Sequence, residues 1–516
     1  MKDFHTYNEQ QIRINAHHEA QRLFRSTREF FAELQKNVAA IRYTNPDTRA
    51  ASLHTVADSL IGYSAYMAGV DVVIPAQFHA AWESLLRYLR SRGVVGQLQL
   101  FPPKELEPAL YYFDLDSVFS SVHTDGDRPP YTRFSRGVSF DYDTAISKAI
   151  GECLERVPLA QYYTKDLVRA SRSDFLKAGT TFLDPHDVSF FSAEQKQHSP
   201  ALAYSDETLF QWVQGKDLTT GECLYIPAQL VYWNYARAQD TFFEPKLREQ
   251  NTHGAGGYFT REGAVLSGLY EDIQRDGFLL YWLRGGAPPR IQIDPCIDEV
   301  ILGLRNQLER FGFEVVFLDI TTEIAVPSVM CCLVGRKEYL PYVVVGASSD
   351  ADPASALRRS IEEACSIYQW VLRQDDTFVL PESYVPFRDA TLSAKERTLL
   401  WAHQSTAPQI DFFLQGEEES LGVFMQKGRT FESEQDELAW LVSCVDVVGN
   451  VSKVFVVEAT HPVLTEVGYH SVRVITPGLI PLYTIETCAP LAHPRLLYPP
   501  CGLDRTYINP LPHPLP

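Results

Sequence analysis

Apolar residues recur at helical spacing in two stretches near the start of the chain. Residues 11–42 and 55–93 carry apolar side chains about one turn apart, with charged residues between them. This spacing predicts amphipathic helices, because residues three and four apart lie on one helix face. We therefore expect a helix-rich amino-terminal region, which we assign to residues 1–110.

Beyond about residue 130, helical patterns alternate with short runs of β-branched residues. Such runs favour strands, because branched side chains pack well on a pleated sheet. The four clearest runs are residues 315–319, 342–346, 451–458 and 472–475. Together the patterns predict an α/β fold, in which mixed sheets pack with amphipathic helices.

Proline and glycine separate the two regions. Pro102-Pro103 and the polar segment 125–130 interrupt the periodic patterns, and such punctuation is typical of turns and linkers. We therefore place a domain boundary within residues 100–130 and expect a catalytic domain over residues 130–516.

The composition is that of an acidic globular protein. Lysine and arginine number 46 against 65 aspartates and glutamates, which gives a net charge of −19. Nucleic-acid surfaces need clustered cationic side chains, so we expect no nucleic-acid partner. No run approaches the roughly 18 apolar residues of a membrane span, and no signal peptide is visible, so we expect no membrane association. The nine cysteines are scattered without a C-x-x-C pair, which argues against a zinc ribbon or a disulfide framework and favours a reducing cytoplasm.

Three helical segments carry glutamate and arginine on one face. The sets are Glu152, Glu155 and Arg156; Glu271, Gln274 and Arg275; and Arg359 and Glu363. Taken singly, each set is typical of a solvated face with local ion pairs. The helices around them are mostly apolar, however, and buried carboxylates need a cation or a partner. Converging carboxylates and arginines suit Mg²⁺ ions bridged to nucleotide phosphates, and without a G-x-x-x-x-G-K-[ST] motif the site is not a P-loop.

In combination these segments resemble the YcaO family, whose members use ATP to modify peptide backbone amides. The resemblance runs from about residue 130 to residue 516 and includes Arg136-Gly137, residues 227–232, 252–257 and 318–321, Pro327 and Gly346-Ala347. It implies a YcaO-type fold with ATP and Mg²⁺ as cofactors. It also implies two residue sets: metal-binding Glu152, Glu155, Glu271 and Glu363, with Gln274 in a ligand position, and phosphate-binding Arg156, Arg275 and Arg359.

Three positions depart from the family pattern. Lys148 stands where the first helix usually has serine, Gln274 where the second has glutamate, and Ser366 where the third has glutamine. A glutamine oxygen is a neutral and weaker ligand, so the metal site is either intact or altered. Lys148 either binds a nucleotide phosphate or is a surface residue.

The chain ends on Pro512-His513-Pro514-Leu515-Pro516. Proline fixes φ, so such a tail is extended and loses little entropy when it docks, although chain ends are commonly frayed. The tail and residues 468–479 resemble the azoline-forming cyclodehydratase (D-protein) branch of the family. That resemblance implies that residues 509–516 enter the active site, where the Pro516 carboxylate or His513 organises the site or acts as a base. The carboxylate is the preferred candidate, with His513 as a spacer.

The implied reaction is ATP-dependent cyclodehydration of Cys, Ser or Thr in a ribosomal precursor peptide, giving thiazoline or oxazoline. The implied partners are a flavin-dependent dehydrogenase and a separate ThiF-like leader-binding protein, because residues 1–110 lack the cysteine pairs of the zinc-bearing fused version. Within the family, the alternative is thioamide or amidine formation. Outside it, Gln274 and Ser366 motivate a non-catalytic scaffold subunit. The amino-terminal helices either contact the partner or pack on the core.

Overall fold

The structure, a computed structural model, describes most of the chain from residue 85 to residue 515. The internal gaps are residues 102–106, 109, 120–130, 140–141, 163–165, 234, 236–237, 240–241, 295–298, 389–391 and 449–452. Most of the helix-rich region predicted from the sequence lies outside the described residues. Its end, residues 85–91, is helical as predicted.

The strands form three main sheets and one short ribbon. They are β1 (Val95–Phe101), β2 (Tyr111–Phe119), β3 (Tyr131–Ser139), β4 (Val168–Ser171), β5 (Leu209–Asp217), β6 (Cys223–Pro227), β7 (Ala238–Gln239), β8 (Phe242–Phe243), β9 (Ala255–Tyr258), β10 (Arg290–Gln292), β11 (Phe313–Asp319), β12 (Ser328–Gly335), β13 (Val343–Ser349), β14 (Glu418–Ser420), β15 (Phe455–Glu458) and β16 (His470–Ile475). The sheets run β1-β2-β3, then β13-β12-β11-β10-β14, and β4-β5-β15-β16-β9 with β6 beside β5; β7 pairs with β8. Neighbours are antiparallel apart from β10 and β14.

The helices cover these sheets. They are α1 (Tyr142–Leu159), α2 (Arg172–Ala178), α3 (Ala193–His198), α4 (Arg261–Leu283), α5 (Glu299–Phe311), α6 (Pro353–Val371), α7 (Ala394–Ala402), α8 (Ala407–Leu414), α9 (Leu421–Met425), α10 (Glu434–Val445), α11 (Pro462–Thr465) and α12 (Pro494–Leu497). Short 3₁₀ turns connect several of them. None of the described helices combines the length and the hydropathy that a membrane-spanning helix needs.

The α/β prediction is confirmed, and the four strand predictions fall within or beside β11, β13, β15 and β16. Cys331 and Cys332 are both buried, and they face two different apolar clusters because successive side chains alternate across a strand. No disulfide joins the described cysteines. Strands β1 and β2 lie in one sheet with β3, and the predicted domain limits stay predictions.

Helix α4 occupies the centre of the fold. It packs against β9 and β16 of one sheet and against β12 and β13 of another. Its start is capped, because the Thr260 side chain accepts a hydrogen bond from the backbone N–H of Gly263. Helices α1 and α6 pack in the same manner on the strands that precede them, β3 and β13.

All three of these strand–helix contacts are too close for any side chain but hydrogen, and a Cβ atom on Gly346 would lie 2.2 Å from the backbone nitrogen of Ala364. A Cβ atom on Gly137 would lie 1.7 Å from the carbonyl oxygen of Ala145, and one on Gly256 would lie 2.0 Å from that of Ala264. Glycine therefore lets the helix backbone rest directly on the strand. The functional groups of α1 and α4 are thereby held close to the strands that precede them.

Candidate active site

Three strand-to-helix units present a glutamate in the same way. In each, a backbone N–H at the strand donates to Oε2 of a glutamate 16 or 17 residues later. The pairs are Arg136 with Glu152, Gly254 with Glu271 (3.0 Å) and Ala347 with Glu363 (2.7 Å). A hydrogen bond from a backbone N–H fixes the orientation of the carboxylate that accepts it. The backbone at the three strands therefore orients all three glutamate side chains. This recurrence is a tertiary feature of a chain without an exact sequence repeat.

Glu271 is the carboxylate that acts on both neighbouring units. Its Oε1 atom pairs with Arg275 at 3.3 Å. Burial raises the pKa of Glu155 to about 8, and the charge of Glu271 adds to this rise while Arg156 opposes it. Burial also raises the pKa of Glu363, which Arg275 opposes and Glu271 reinforces. Carboxylates of α1, α4 and α6 therefore share one electrostatic environment.

Glu152 and Arg156 on α1 form an ion pair. Glu152 Oε1 and Arg156 Nη2 lie 2.6 Å apart, one helical turn from each other, and both side chains are about one-quarter exposed. Glu152 also adds to the raised pKa of Glu155. Both predicted residues are therefore at the site, with Arg156 already occupied by a carboxylate on one of its nitrogens.

Lys148 connects α1 to α6. Its Nζ atom donates to the carbonyl oxygen of Val138 at 3.1 Å and pairs with Glu362. Ser139 Oγ also donates to Glu362, at 3.2 Å. The Lys148 side chain is 37% exposed, so one carboxylate outside the predicted set holds a partly exposed lysine between two helices of the site.

Several donors at the site are buried without a hydrogen-bond partner among the described residues. These atoms are Arg156 Nε, Gln274 Nε2, Arg275 Nε and Nη1, and Arg473 Nε and Nη1. Leaving such a donor unsatisfied costs about 1–3 kcal/mol, so buried donors normally bind a partner. Their concentration fits an anion with several oxygens, because guanidinium groups match phosphate geometry.

Arg473 on β16 was missed by the sequence analysis as a site residue. It is 1% exposed. Burial lowers its pKa to about 9, the neighbouring Arg248 adds to the lowering, and Glu271 and Glu155 oppose it. One sequence signal could have identified it, namely a lone arginine between two valines in a strand-like run. Such a position predicts a buried charge, and an arginine is almost never fully buried unless it has a partner. We call Glu152, Glu155, Arg156, Glu271, Gln274, Arg275, Glu363 and Arg473 the Glu271 cluster.

A second buried pair lies beside Glu271. His253 Nε2 and Asp272 Oδ1 are 3.2 Å apart, and Thr476 Oγ1 donates to Asp272 at 2.7 Å. Burial raises the pKa of Asp272 to about 7 and lowers that of His253 well below its usual range. His253 is therefore neutral, and the pair anchors the start of the glycine segment before β9.

Arg359 is placed differently from the other predicted arginines. Its guanidinium pairs with Asp350 at 3.0 Å, and its side chain is 54% exposed. It therefore pairs with a carboxylate outside the Glu271 cluster, although Glu363 lies one turn further along α6.

The Glu271 cluster fits Mg²⁺ together with a nucleotide phosphate chain. Among the described residues, no three acidic, histidine or cysteine side chains converge closely enough to hold an ion by themselves. The raised pKa values of Glu155 and Glu363 nevertheless mark carboxylates that a cation would stabilise. Mg²⁺ commonly uses one or two carboxylates plus substrate phosphates rather than a closed protein cage. Gln274, whose buried amide nitrogen has no partner, can offer its oxygen to such a site.

The carboxyl-terminal tail is buried from residue 512 to residue 515, and Leu515 is fully buried. The frayed alternative is therefore wrong for these residues. Pro516, the preferred catalytic candidate, lies outside the described residues. The His513 ring packs edge-on between Phe278 and Tyr483, and its Nε2 donates to the carbonyl oxygen of Tyr483. Burial, Arg397 and Arg275 lower the pKa of His513 well below its usual range, so this imidazole is a neutral anchor beside the cluster.

Besides His253, two more buried neutral histidines predict sensitivity to acid. Burial lowers the pKa of His493 to about 3 and lowers that of His513 well below its usual range. Below about pH 6.5 these histidines bind protons in the unfolded chain but stay neutral in the native protein. Their contribution to the free energy of unfolding is therefore fully present above that pH and is lost progressively below it. Proton binding linked to His493 alone should lower the free energy of unfolding by about 2 kcal/mol between pH 7.5 and pH 5. Urea unfolding between pH 7.5 and pH 5 should show this slope.

Single substitutions separate the two contributions. His493→Asn keeps a side-chain acceptor for the Arg495 N–H, and His513→Gln keeps a donor for Tyr483. Each should reduce the proton uptake on unfolding by about one. The exposed His186→Gln is the control. A slope unchanged from wild type in both variants would contradict the assignment.

Residues 136–480 match the family model described as YcaO cyclodehydratase, ATP- and Mg²⁺-binding. A protein of Rhizobium leguminosarum bv. trifolii, described as an uncharacterized protein in the tfuA 3′ region, is 25% identical over 240 residues. The match covers 44% of this chain and 53% of that protein, so the chain spans about half of that relative's length.

Two solved structures share the fold. One, a heterocyclase in complex with substrate and cofactor, superposes with a TM-score of 0.64 at 17% identity, over 83% of this chain and 57% of that one. The other is the YcaO protein of Methanopyrus kandleri bound with AMPPCP and Mg²⁺. It gives a TM-score of 0.55 at 18% identity, over 84% of this chain and 95% of that one.

Proposed function

This chain belongs to the YcaO family of ATP- and Mg²⁺-binding cyclodehydratases, and we propose that it forms azolines in a ribosomally made precursor peptide. The observation that carries the proposal is the Glu271 cluster. Carboxylates from three helices lie beside buried guanidinium groups with unpartnered nitrogens. That combination suits a nucleotide whose phosphates are neutralised from both sides.

The proposed reaction conserves atoms and charge in three steps. A Cys, Ser or Thr side chain attacks the preceding carbonyl carbon, loses its proton to a base and leaves a tetrahedral oxyanion. This oxyanion takes the γ-phosphoryl group of ATP, so a new P–O bond forms as the bond to ADP breaks. The C–O bond then breaks, phosphate leaves, the amide nitrogen loses its proton and a C=N bond closes the ring.

Each part of the cluster has a role in that scheme. Mg²⁺, when bound, neutralises phosphate charge and is held by Glu271 with Glu155 and Glu363. Arg275 and Arg473 bind phosphate oxygens through the nitrogens that lack a protein partner. The terminal carboxylate of Pro516 accepts a proton or orders the site, while His513 holds the tail in place.

The proposed partners follow the sequence resemblance. A separate ThiF-like protein would capture the leader segment of the precursor peptide, and a flavin-dependent dehydrogenase would oxidise the azoline. Gln274 is buried within α4 one residue before Arg275, in the position where the resemblance implies a metal ligand.

Mass spectrometry tests the proposed activity directly. The chain is incubated with ATP, Mg²⁺, a ThiF-like leader-binding partner and a candidate precursor peptide rich in Cys, Ser and Thr. The peptide should lose about 18 Da, one water, per ring, with one ADP and one phosphate formed for each loss. Replacing the cyclised residues of the peptide by alanine should remove both signals.

Other outcomes identify the alternatives. A mass gain from sulfur replacing oxygen would indicate thioamide formation. A loss of water that persists in the alanine peptide and joins an amine to a backbone carbon would indicate an amidine. Absence of ATP turnover with the correct partner and peptide would leave only the scaffold role and overturn the proposed function.

A further inference from the structure

The tail passes along two tryptophans on separate helices. Trp282 Nε1 donates to the carbonyl oxygen of Leu511 at 3.1 Å, and Trp401 Nε1 donates to that of Pro512 at 2.9 Å. The two indoles meet edge-to-face, with ring centroids 5.3 Å apart. They belong to the same buried apolar cluster as Leu515.

A buried arginine makes the next contact along the tail. Arg397 Nη1 donates to the carbonyl oxygen of His513 at 3.2 Å. Its Nη2 lies 2.7 Å from Glu486 Oε1, and both side chains of this ion pair are 0% exposed. A charge buried this deeply is stable only when paired, so Glu486 fixes the direction of the guanidinium. Arg397 and Trp401 are one turn apart and so share a face of α7.

The chemistry of these contacts matches that of the tail. Prolines at positions 510, 512, 514 and 516 remove every second backbone N–H, so the tail is rich in acceptors and poor in donors. Two indole N–H groups and a guanidinium can only donate. Consecutive carbonyls of Leu511, Pro512 and His513 are each satisfied by one of them.

The same helix carries part of the Glu271 cluster. Arg275 and Trp282 are seven residues apart on α4, which places them on one face two turns from each other. The charge of Arg275 also contributes to the lowered pKa of the buried His513 imidazole. A tail held at Trp282 is thus held at a set distance from the cluster.

We propose that Trp282, Arg397 and Trp401 form a tail clamp of positioning residues, which directs the terminal segment to the Glu271 cluster. The clamp acts through the tail and touches no reacting atom. The inference rests on the proposed function for its effect on ring formation, whereas its effect on the tail itself is independent of any reaction.

Trp401→Phe tests the clamp because it removes one N–H and keeps most of the ring. Trp212→Phe is the matched control: Trp212 is also 0% exposed, and its Nε1 donates to a backbone carbonyl, that of Ala170, at the same 2.9 Å. The full chain with its partner should form rings about tenfold more slowly in Trp401→Phe. The KM for ATP should stay within about twofold, because the nucleotide contacts are unchanged.

Two further readouts separate positioning from simple destabilisation. Carboxypeptidase Y should release residues from the tail faster in Trp401→Phe than in Trp212→Phe, with no substrate peptide present. In a chain that lacks Leu515 and Pro516, Trp401→Phe should have no additional effect on ring formation, because both changes act through the same segment.

The contrary results are equally specific. Trp401→Phe behaving like Trp212→Phe in ring formation and in proteolysis would overturn the clamp. The clamp would also be overturned if the effect of Trp401→Phe on ring formation added fully to the effect of the truncation. If wild type makes no rings, the proposed function fails, and the rate of carboxypeptidase release alone then decides whether the clamp exists.

Discussion

Replacing Glu271 by Gln should lower peptide-dependent ATP turnover by about 10²–10³-fold, the effect of removing one preorganised electrostatic group. Glu271 is the carboxylate whose charge reaches both Glu155 and Glu363. Glutamine keeps an oxygen that can accept the Gly254 N–H, so the backbone contact survives while the charge is lost. Steady-state release of phosphate with partner and peptide measures the effect.

A control on the same helix isolates the charge. Glu262→Gln lies in the first turn of α4, outside the Glu271 cluster, and should turn over ATP at the wild-type rate. Thermal unfolding should be similar for both variants. Turnover by Glu271→Gln within about threefold of wild type at every Mg²⁺ concentration, limiting as well as saturating, would remove Glu271 from the metal site. Partial recovery at high Mg²⁺ would support weakened binding of the ion.

Deleting Leu515 and Pro516 should reduce ring formation by about 10²-fold or more, while ATP binding changes by less than about threefold. The deletion removes the terminal carboxylate, which is the proposed catalytic group, but leaves the carboxylates and guanidinium groups of the helices intact. Ring formation is followed by loss of water from the peptide, and ATP binding by isothermal titration.

Packing loss has to be separated from loss of position. Leu515 is fully buried, so its removal alone costs about 1.5–3 kcal/mol of stability. Leu496→Ala, in the same apolar cluster, supplies a comparable loss without touching the tail. Adding one glycine after Pro516 moves the carboxylate and deletes nothing. Normal ring formation by both the truncated and the extended chain would reduce the tail to a packing element.

The sequence predicted the local structure well because local structure depends on near neighbours. The β-branched runs became β11, β13, β15 and β16, and the glutamates and arginines three or four apart do share helix faces. The same reasoning was weaker for partners. Lys148 pairs with Glu362, and Arg359 pairs with Asp350, because a long charged side chain takes whichever opposite charge the tertiary fold brings near.

By itself, the sequence determined the fold class, the family and the three helices that carry the candidate site residues, since residue type, spacing and period are properties of the chain alone. It also determined that the tail is stiff. Only the tertiary structure decided that strand N–H groups aim three glutamates, that Arg473 joins them, and that Trp282, Arg397 and Trp401 hold the tail. Those contacts join residues that are far apart in the sequence, so no sequence pattern reveals them. Hydrogen bonding and burial depend on which residues are neighbours in space.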